Sequence, residues 1–332
     1  MIYIAFLLFA FILSFFGTKQ VLALLKRLKT LDVPNERSNH KTPTPRGGGI
    51  AVVFTVAALL VVYRIFNPEN ASLITGLIIS STLLALVSFL DDIRPLPAFG
   101  RFAAHIIVVV TSIYGFHMLD DGPVFQGFLP GWLDTFVAAF LWLWFMNLYN
   151  FMDGIDGITT VETSSIAIGI FLVAMFSTLS STHAVIAVIL LGTVLGFGIH
   201  NWHPAKIFMG DVGSIPLGYL VGYLLLSAAA QGFWAVALVL PAYYLFDSTY
   251  TILRRLIRKQ NIFEAHSEHF YQKAVRSGKS HSHVALSIAF ANIKLIVIAV
   301  TITLYHTLIP GLAYCAILIA LLVVYFSRVK KA

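Results

Sequence analysis

Long apolar runs alternate along this chain with short polar loops, and the run lengths set the expected architecture. A helix that crosses a bilayer needs about 20 mostly apolar residues. Runs of that kind lie at roughly 2–25, 47–66, 73–90, 102–117, 132–150, 164–179, 184–200, 213–230, 233–253, 284–307 and 309–327. The pattern predicts an all-α polytopic membrane protein with about 11 transmembrane helices, of which 102–117 carries the weakest signal. Residues 2–25 are too long for a signal-peptide core and lack a small-residue cleavage site, so they are expected as a retained first helix. No internal repeat is visible, which weighs against an inverted-repeat transporter.

The basic residues give the expected orientation. All but Lys19, Arg64 and Lys294 of the 22 lysines and arginines fall in segments 26–46, 91–101, 201–212, 254–283 and the C-terminal tail. With eleven spans, these segments share one face, which the positive-inside bias makes cytoplasmic. The N-terminus is then periplasmic and the C-terminus cytoplasmic, as expected for the bacterial inner membrane. Composition agrees with a bilayer environment, since 58% of residues are hydrophobic and 11% charged, against about 25% charged in soluble domains. The net charge of +7 does not point to nucleic acid, because the cations sit in loops, where they set topology and meet anionic lipid. A single cysteine, Cys315, excludes an intrachain disulfide and a thiolate zinc site.

Acidic residues cluster on the same expected face. Asp91 and Asp92 end the third span in FLDDIRP, Asp153 and Asp156 follow the fifth in NFMDGIDG, and Asp211 follows the seventh in FMGDVGS. Asp120 and Asp121 fall on the opposite face and are expected in a solvated loop. Oxygen ligands suit magnesium or manganese, which leave coordination positions for water and phosphate. Asn150, Asp153, Asp156 and Asp211 could supply them. The three-residue spacing from Asn150 to Asp153 to Asp156 would fit one face of a helical turn, with Gly154 and Gly157 allowing close approach. In SNHKTPTPRGGG, Lys41 and Arg46 bracket Thr42 and Thr44, and three glycines follow. Cations and backbone amides of this kind suit phosphate oxygens. No Walker-type sequence is present, so an ATPase reading lacks its main feature. In AHSEHFYQKAVRSGKSHSH, His266 and His269 suit a polar, anionic substrate, whereas His281 and His283 are expected in a solvated loop. One domain, 1–332, would form its active site from loops 26–46, 91–101, 150–163, 201–212 and 254–283.

Five pieces, in order from about residue 34 to 272, together resemble the polyprenyl-phosphate N-acetylhexosamine-1-phosphate transferase family. They are PNERSNHKTPTPRGGG, Asp91-Asp92, NFMDGIDG, NWHPAKIFMGDVGS and AHSEHFYQ. The resemblance implies an enzyme that moves a sugar 1-phosphate from a UDP-N-acetylamino sugar to undecaprenyl phosphate and releases UMP, with Mg2+ as cofactor and Mn2+ as an alternative. It implies Asp211 as a metal ligand and Asn150 as a second metal or diphosphate contact. Asp153, Asp156 and Asn201 resemble nucleotide-binding positions, Phe208 a neighbour of the uracil, and Lys41 and Thr44 contacts on the nucleotide-phosphate side, with Arg46 beside them. Asp91 and Asp92 look like the catalytic pair. A lipid phosphate is already largely ionised near neutral pH, so Asp91 is expected to position it as much as to deprotonate it. One-step displacement and a two-step aspartyl-phosphate route both remain open.

The pentapeptide-carrying members have a His-His-His stretch that this chain lacks. His266-Ser-Glu-His269-Phe-Tyr-Gln272 is more similar to the His-Arg-x-His-x-Tyr-Gln stretch of O-antigen-initiating members. These use UDP-N-acetylated fucosamine, quinovosamine or glucosamine in lipopolysaccharide synthesis. Ser267 stands where they carry arginine, leaving Lys273 or Arg276 as replacements. A homodimer is compatible with all of this. The alternative class is a membrane transporter of a polar or anionic solute. It would need intramembrane ionisable groups, of which the helix interiors offer only a few, such as Glu162, Asp247 and Lys294, and these are expected as snorkelling or paired groups.

Overall fold

The computed structural model describes residues 1–34, 42–93, 96–261 and 266–328. The chain is helical nearly throughout. The helices are α1 (Ile2–Leu28), α2 (Gly49–Phe66), α3 (Ala71–Ile93), α4 (Ala98–Tyr114), α5 (Gly131–Phe151), α6 (Ile158–Phe176) and α7 (Ser181–Asn201). There follow α8 (Asp211–Ala228), α9 (Trp234–Val239), α10 (Ala242–Ile257), α11 (Phe270–Arg276), α12 (His281–Tyr305) and α13 (Leu308–Ser327). One element lies outside the all-α expectation. Strands β1 (Leu31–Asp32) and β2 (Thr44–Pro45) pair antiparallel, with Leu31 opposite Pro45 and Asp32 opposite Thr44.

Among the described residues, nine helical stretches are long and apolar enough to cross a membrane, and the protein is an all-α polytopic membrane protein. Two of the eleven expected runs differ. Helix α4 is a shorter apolar helix, and the run expected at 233–253 is broken. Helix α8 continues through a π-helical turn to Gly232, whose φ of 95° interrupts the helix. The chain then runs through α9 and α10, separated at Pro241. Gln231 accepts a bond from the Ser180 amide at one end of the bundle. Asp247, in α10, holds α11 at the other end. Helix α9 continues the apolar stretch Asp211–Val239, and α10, at 16 residues, is too short to register as a span.

Helices α7 and α8 form the centre. The apolar windows of α8–α9 and α7 are 94% and 83% buried, against 17% for α13. Helix α7 packs on α1, α2 and α6, and α8 packs on α3 and α5. Apolar faces of α1, α3, α12 and α13 remain exposed through Phe9, Leu83, Phe290 and Leu321, as expected for residues facing lipid chains. The N-termini of α2 and α8 touch at Gly49 and Gly213, where a Cβ on Gly49 would stand 2.2 Å from the Gly213 Cα. Only glycine permits this approach, and it brings Arg46 beside Asp211.

Candidate active site

A cavity of about 300 Å³ opens where α2 and α8 begin and α5 ends. Asp211 is the first residue of α8, where a carboxylate complements the unpaired amides of the helix N-terminus. Arg46 Nη2 donates to Asp211 Oδ1 at 2.6 Å. Burial works against the Arg46 charge, but Asp211, with Asp92 and Asp32 further off, more than offsets it and raises the guanidinium pKa. Asn150 lies in the last turn of α5, and its Oδ1 accepts from Ser214 Oγ at 2.6 Å. Asp153 accepts from the Thr159 hydroxyl. Burial pushes the Asp153 carboxyl up to about 7 against the pull of that bond, and the Asp211 charge adds to the rise.

Three expectations about these loops change. Helix α5 stops at Phe151, so Asn150, Asp153 and Asp156 do not share a helical face; the last turn of α5 brings Asn150 to the cavity and the loop after it brings Asp153 and Asp156. At Gly154 a Cβ would lie 2.1 Å from the Tyr271 hydroxyl, which donates to Phe151 O at 3.0 Å and satisfies a carbonyl at the end of α5. The close approach at Gly154 is thus to α11. The amides of Gly47 and Gly48 donate to Phe208 O, and that of Gly49 to Met209 O. The glycine run is therefore a backbone clasp, and its amides are already engaged. Thr44 is buried, donates to Thr42 O at 3.0 Å and lines a neighbouring cavity. Lys41 lies outside the described residues.

The Asp91-Asp92 pair is not equivalent. Asp91 accepts from Leu96 N at 2.7 Å and from Arg101 Nη1 at 2.8 Å, so it closes the loop after α3. Asp92 is exposed and within electrostatic reach of Arg46 and Asp211. Asn201 lines the first cavity, but its amide is engaged at both ends, accepting from Gly157 N and donating to Ile207 O.

Asp156 joins the first cavity to a second of about 420 Å³. Its carboxylate accepts from His203 Nδ1 at 2.6 Å and Ala205 N at 3.1 Å, and lies 3.1 Å from His281 Nδ1. Burial opposes its charge, but the His281, His203 and Ala205 contacts together hold its carboxyl below the ordinary range. His281 is thus buried against Asp156, contrary to its expected place in a solvated loop; His283 is exposed and bonds Tyr325. Sequence reasoning also missed His203, although NWHPA places it two residues after Asn201.

His266 and His269 line neither cavity. His269 is buried and caps α11, with Nδ1 3.2 Å from Asp247 Oδ1. His266 packs against it with ring centroids 5.1 Å apart, and burial, together with His269 and Arg255, pushes its pKa down to about 4. Asp247 is fully buried and organises this region, accepting from Tyr243, Thr251, Phe270 N and Tyr271 N. At the far end of the bundle, Asp121 is exposed but not simply solvated, since Ser227 and Gln231 donate to it at 2.9 and 3.0 Å.

The first cavity is lined by oxygen donors that could hold a hard divalent cation. Asp211, Asn150 and Asp153 present carboxylate and amide oxygens to one space, with no thiolate among its lining residues. Arg46 already places a positive charge on Asp211.

An all-α membrane bundle with carboxylates, an amide and an arginine converging on a cavity at one end has the layout of a membrane enzyme acting on phosphate esters. A model of the glycosyl transferase family 4 matches residues 74–229. A decaprenyl-phosphate N-acetylglucosaminephosphotransferase of Mycobacterium leprae is 30% identical over 313 residues, 84% of this chain and 78% of its own. A probable undecaprenyl-phosphate N-acetylglucosaminyl 1-phosphate transferase of Bacillus subtilis is 28% identical over 287 residues, 82% of this chain and 78% of its own. A phospho-N-acetylmuramoyl-pentapeptide-transferase of Streptococcus pyogenes is 30% identical over 236 residues, 66% of this chain and 68% of its own. The chain belongs to this family of membrane transferases and is a glycosyl-1-phosphate transferase.

Proposed function

We propose that this protein transfers an N-acetylamino-sugar 1-phosphate from a UDP-sugar to undecaprenyl phosphate at the cytoplasmic face of the bacterial inner membrane. The product would start a lipid-linked O-antigen or related surface polysaccharide. The observation that carries the reading is the convergence of Asp211, Asn150, Asp153 and Arg46 on one cavity at a bundle end, with Asp92 within electrostatic reach of Arg46 and Asp211. In the reaction, an oxygen of the lipid phosphate attacks the sugar-bearing phosphorus. The bond from that phosphorus to the bridging oxygen breaks, and UMP leaves with the bridging oxygen. Asp211, Asn150 and Asp153 would hold Mg2+ or Mn2+, which when bound neutralises pyrophosphate charge. Arg46 is placed to hold pyrophosphate oxygens as they gain charge. Asp92, the exposed member of its pair, would orient the incoming lipid phosphate, while Asp91 fixes the loop beside it.

Solute transport is less well supported. Asp247 is fully engaged in holding α11, Glu162 is paired with Asn292, and Lys294 lies over the Phe290 ring. The donor could be UDP-N-acetylglucosamine, -fucosamine or -quinovosamine; relatives named for N-acetylglucosamine make it the first to assay. Membranes containing the protein should convert undecaprenyl phosphate and one of these donors, with Mg2+, to an organic-soluble sugar pyrophosphate plus one equivalent of UMP. UMP release without lipid acceptor would defeat the proposal, as would solute flux in liposomes with no UMP released.

A further inference from the structure

Helix α10 is amphipathic in the inverted sense. Its inner face carries polar groups, with Asp247, Ser248, Thr251 and Arg255 all buried. Its outer face is apolar, with Phe246, Tyr250, Leu253 and Ile257 all exposed, the last by 82%. These four stand at i, i+4, i+7 and i+11, the spacing of a single stripe along a helix. A helix packed in water would turn that stripe inward. Facing outward, it suits contact with hydrocarbon at a membrane surface.

Cations flank the C-terminal end of the stripe. Arg254, in the last turn of α10, and Arg258, at its C-cap, are four residues apart, a spacing at which like charges repel. Helix α11 brings a third cation beside them. Tyr250 meets the Phe270 ring with centroids 5.6 Å apart, and Lys273 Nζ lies 5.2 Å from the centroid of that same ring. Burial, then the Arg254 charge with Arg258 behind it, lowers the Lys273 pKa against the pull of Asp247 and Glu268. Those two carboxylates are already committed, Glu268 to Arg255 and Asp247 to the start of α11. Among the described residues, Arg254, Arg258 and Lys273 form no salt bridge, and Lys273 lines neither cavity.

An occupant of this face has to meet both halves of it. Free phosphate, nucleic acid or an acidic peptide would answer the cations and leave the stripe in water. A molecule with an anionic head and apolar chains answers both. We propose that this face binds an anionic phospholipid, with its phosphate held by Arg254, Arg258 and Lys273 and its chains lying along Phe246, Tyr250 and Leu253. Gln272 of α11 lines the first cavity, and Tyr271 ties α11 to the end of α5. A bound headgroup would therefore steady α11 beside the site.

The test uses the full chain in a neutral detergent, with short-chain phosphatidylglycerol, short-chain phosphatidylcholine and glycerol phosphate as probes. Calorimetry should show phosphatidylglycerol binding more tightly than phosphatidylcholine, with no binding of glycerol phosphate. Arg254→Gln/Arg258→Gln should weaken phosphatidylglycerol about thirty-fold and leave phosphatidylcholine unchanged. Arg254→Lys/Arg258→Lys should keep most of the affinity, and Leu253→Ser should weaken both phospholipids. Lys26→Gln/Arg27→Gln removes two exposed cations from the end of α1 and should leave phosphatidylglycerol binding nearly unchanged. Bound phosphatidylglycerol should slow hydrogen exchange in α11 of the wild type and not of Arg254→Gln/Arg258→Gln. Unchanged phosphatidylglycerol affinity in Arg254→Gln/Arg258→Gln would overturn the proposal, as would an equal loss in Lys26→Gln/Arg27→Gln. Glycerol phosphate binding as tightly as phosphatidylglycerol would overturn it in favour of a free-phosphate site. A raised KM for undecaprenyl phosphate in Arg254→Gln/Arg258→Gln, in nanodiscs of phosphatidylcholine alone, would overturn it by giving the face to the acceptor. Lipid binding is read without turnover, so its outcome is separate from that of the transferase assay.

Discussion

Replacing Asp247 by alanine should release α11 from the bundle. Asp247 is fully buried and accepts from Tyr243 at 2.8 Å, Phe270 N at 3.0 Å, His269 Nδ1 at 3.2 Å, and Thr251 and Tyr271 N at 3.3 Å. Alanine would leave these donors without their acceptor. Each buried donor so orphaned costs about 1–3 kcal/mol, but the donors share one site and their losses do not add. The two backbone amides belong to the first turn of α11, and the segment can recover part of the loss by swinging out to water. The net cost is then about 3–5 kcal/mol, in the range for breaking a buried charged contact. The thermal midpoint should fall by about 4–7 °C. Hydrogen exchange should show Phe270 and Tyr271 losing protection before α7 and α8 do. Asp247→Asn keeps one acceptor oxygen and should cost about half as much. Asp120→Asn is the control, because Asp120 and its partner His117 are both 67% exposed, and exposed pairs contribute about 0–1 kcal/mol. An Asp247→Ala protein as stable as this control, with α11 still protected, would refute the reasoning.

Two further outcomes follow from buried groups. Asn292 Nδ2 donates to Glu162 Oε2 at 2.8 Å between α12 and α6, while Glu162 Oε1 and Asn292 Oδ1 have no hydrogen-bond partner among the described residues. Glu162→Gln can close a two-bond pair with Asn292 and should be at least as stable as wild type, whereas Asn292→Leu should lose about 1–3 kcal/mol; denaturation of both proteins checks this, and a severe loss in Glu162→Gln would contradict it. Asp156 is held below the ordinary carboxylate range, so its contribution is complete above about pH 4 and disappears as pH falls through its own depressed value. The stability difference between wild type and Asp156→Asn should shrink below about pH 4, and growth of that difference over the same window would reverse the sign.

Long apolar runs made most of the helices legible, because burial in lipid requires uninterrupted hydrophobic length. The break at Pro241 was not legible. The 233–253 run is apolar enough for one helix, and that break was absorbed into it, whereas Gly232 falls in the gap between the 213–230 and 233–253 runs. At the site, residue type and spacing located Asp153, Asp156 and Asp211 but not their partners. Arg46 reaches Asp211 across 165 positions, and His281 reaches Asp156 across 125, separations that no local pattern encodes. Gly47 and Gly48 carried a phosphate-loop appearance, yet their amides pair with Phe208. Asp247 was expected as a snorkelling or paired group, with no partner named. It does pair, with the start of α11, and it thereby fixes Tyr271 against the end of α5.

The central claim is that the Asp211 cavity performs the transfer. The most direct measurement is UMP release coupled to lipid-linked sugar formation by purified wild-type and Asp211→Asn proteins, with Mg2+, a UDP-N-acetylamino sugar and undecaprenyl phosphate. Asp211→Asn should keep a wild-type helical spectrum and lose transfer by at least about a hundred-fold. Wild-type transfer rates in a folded Asp211→Asn protein would contradict the account.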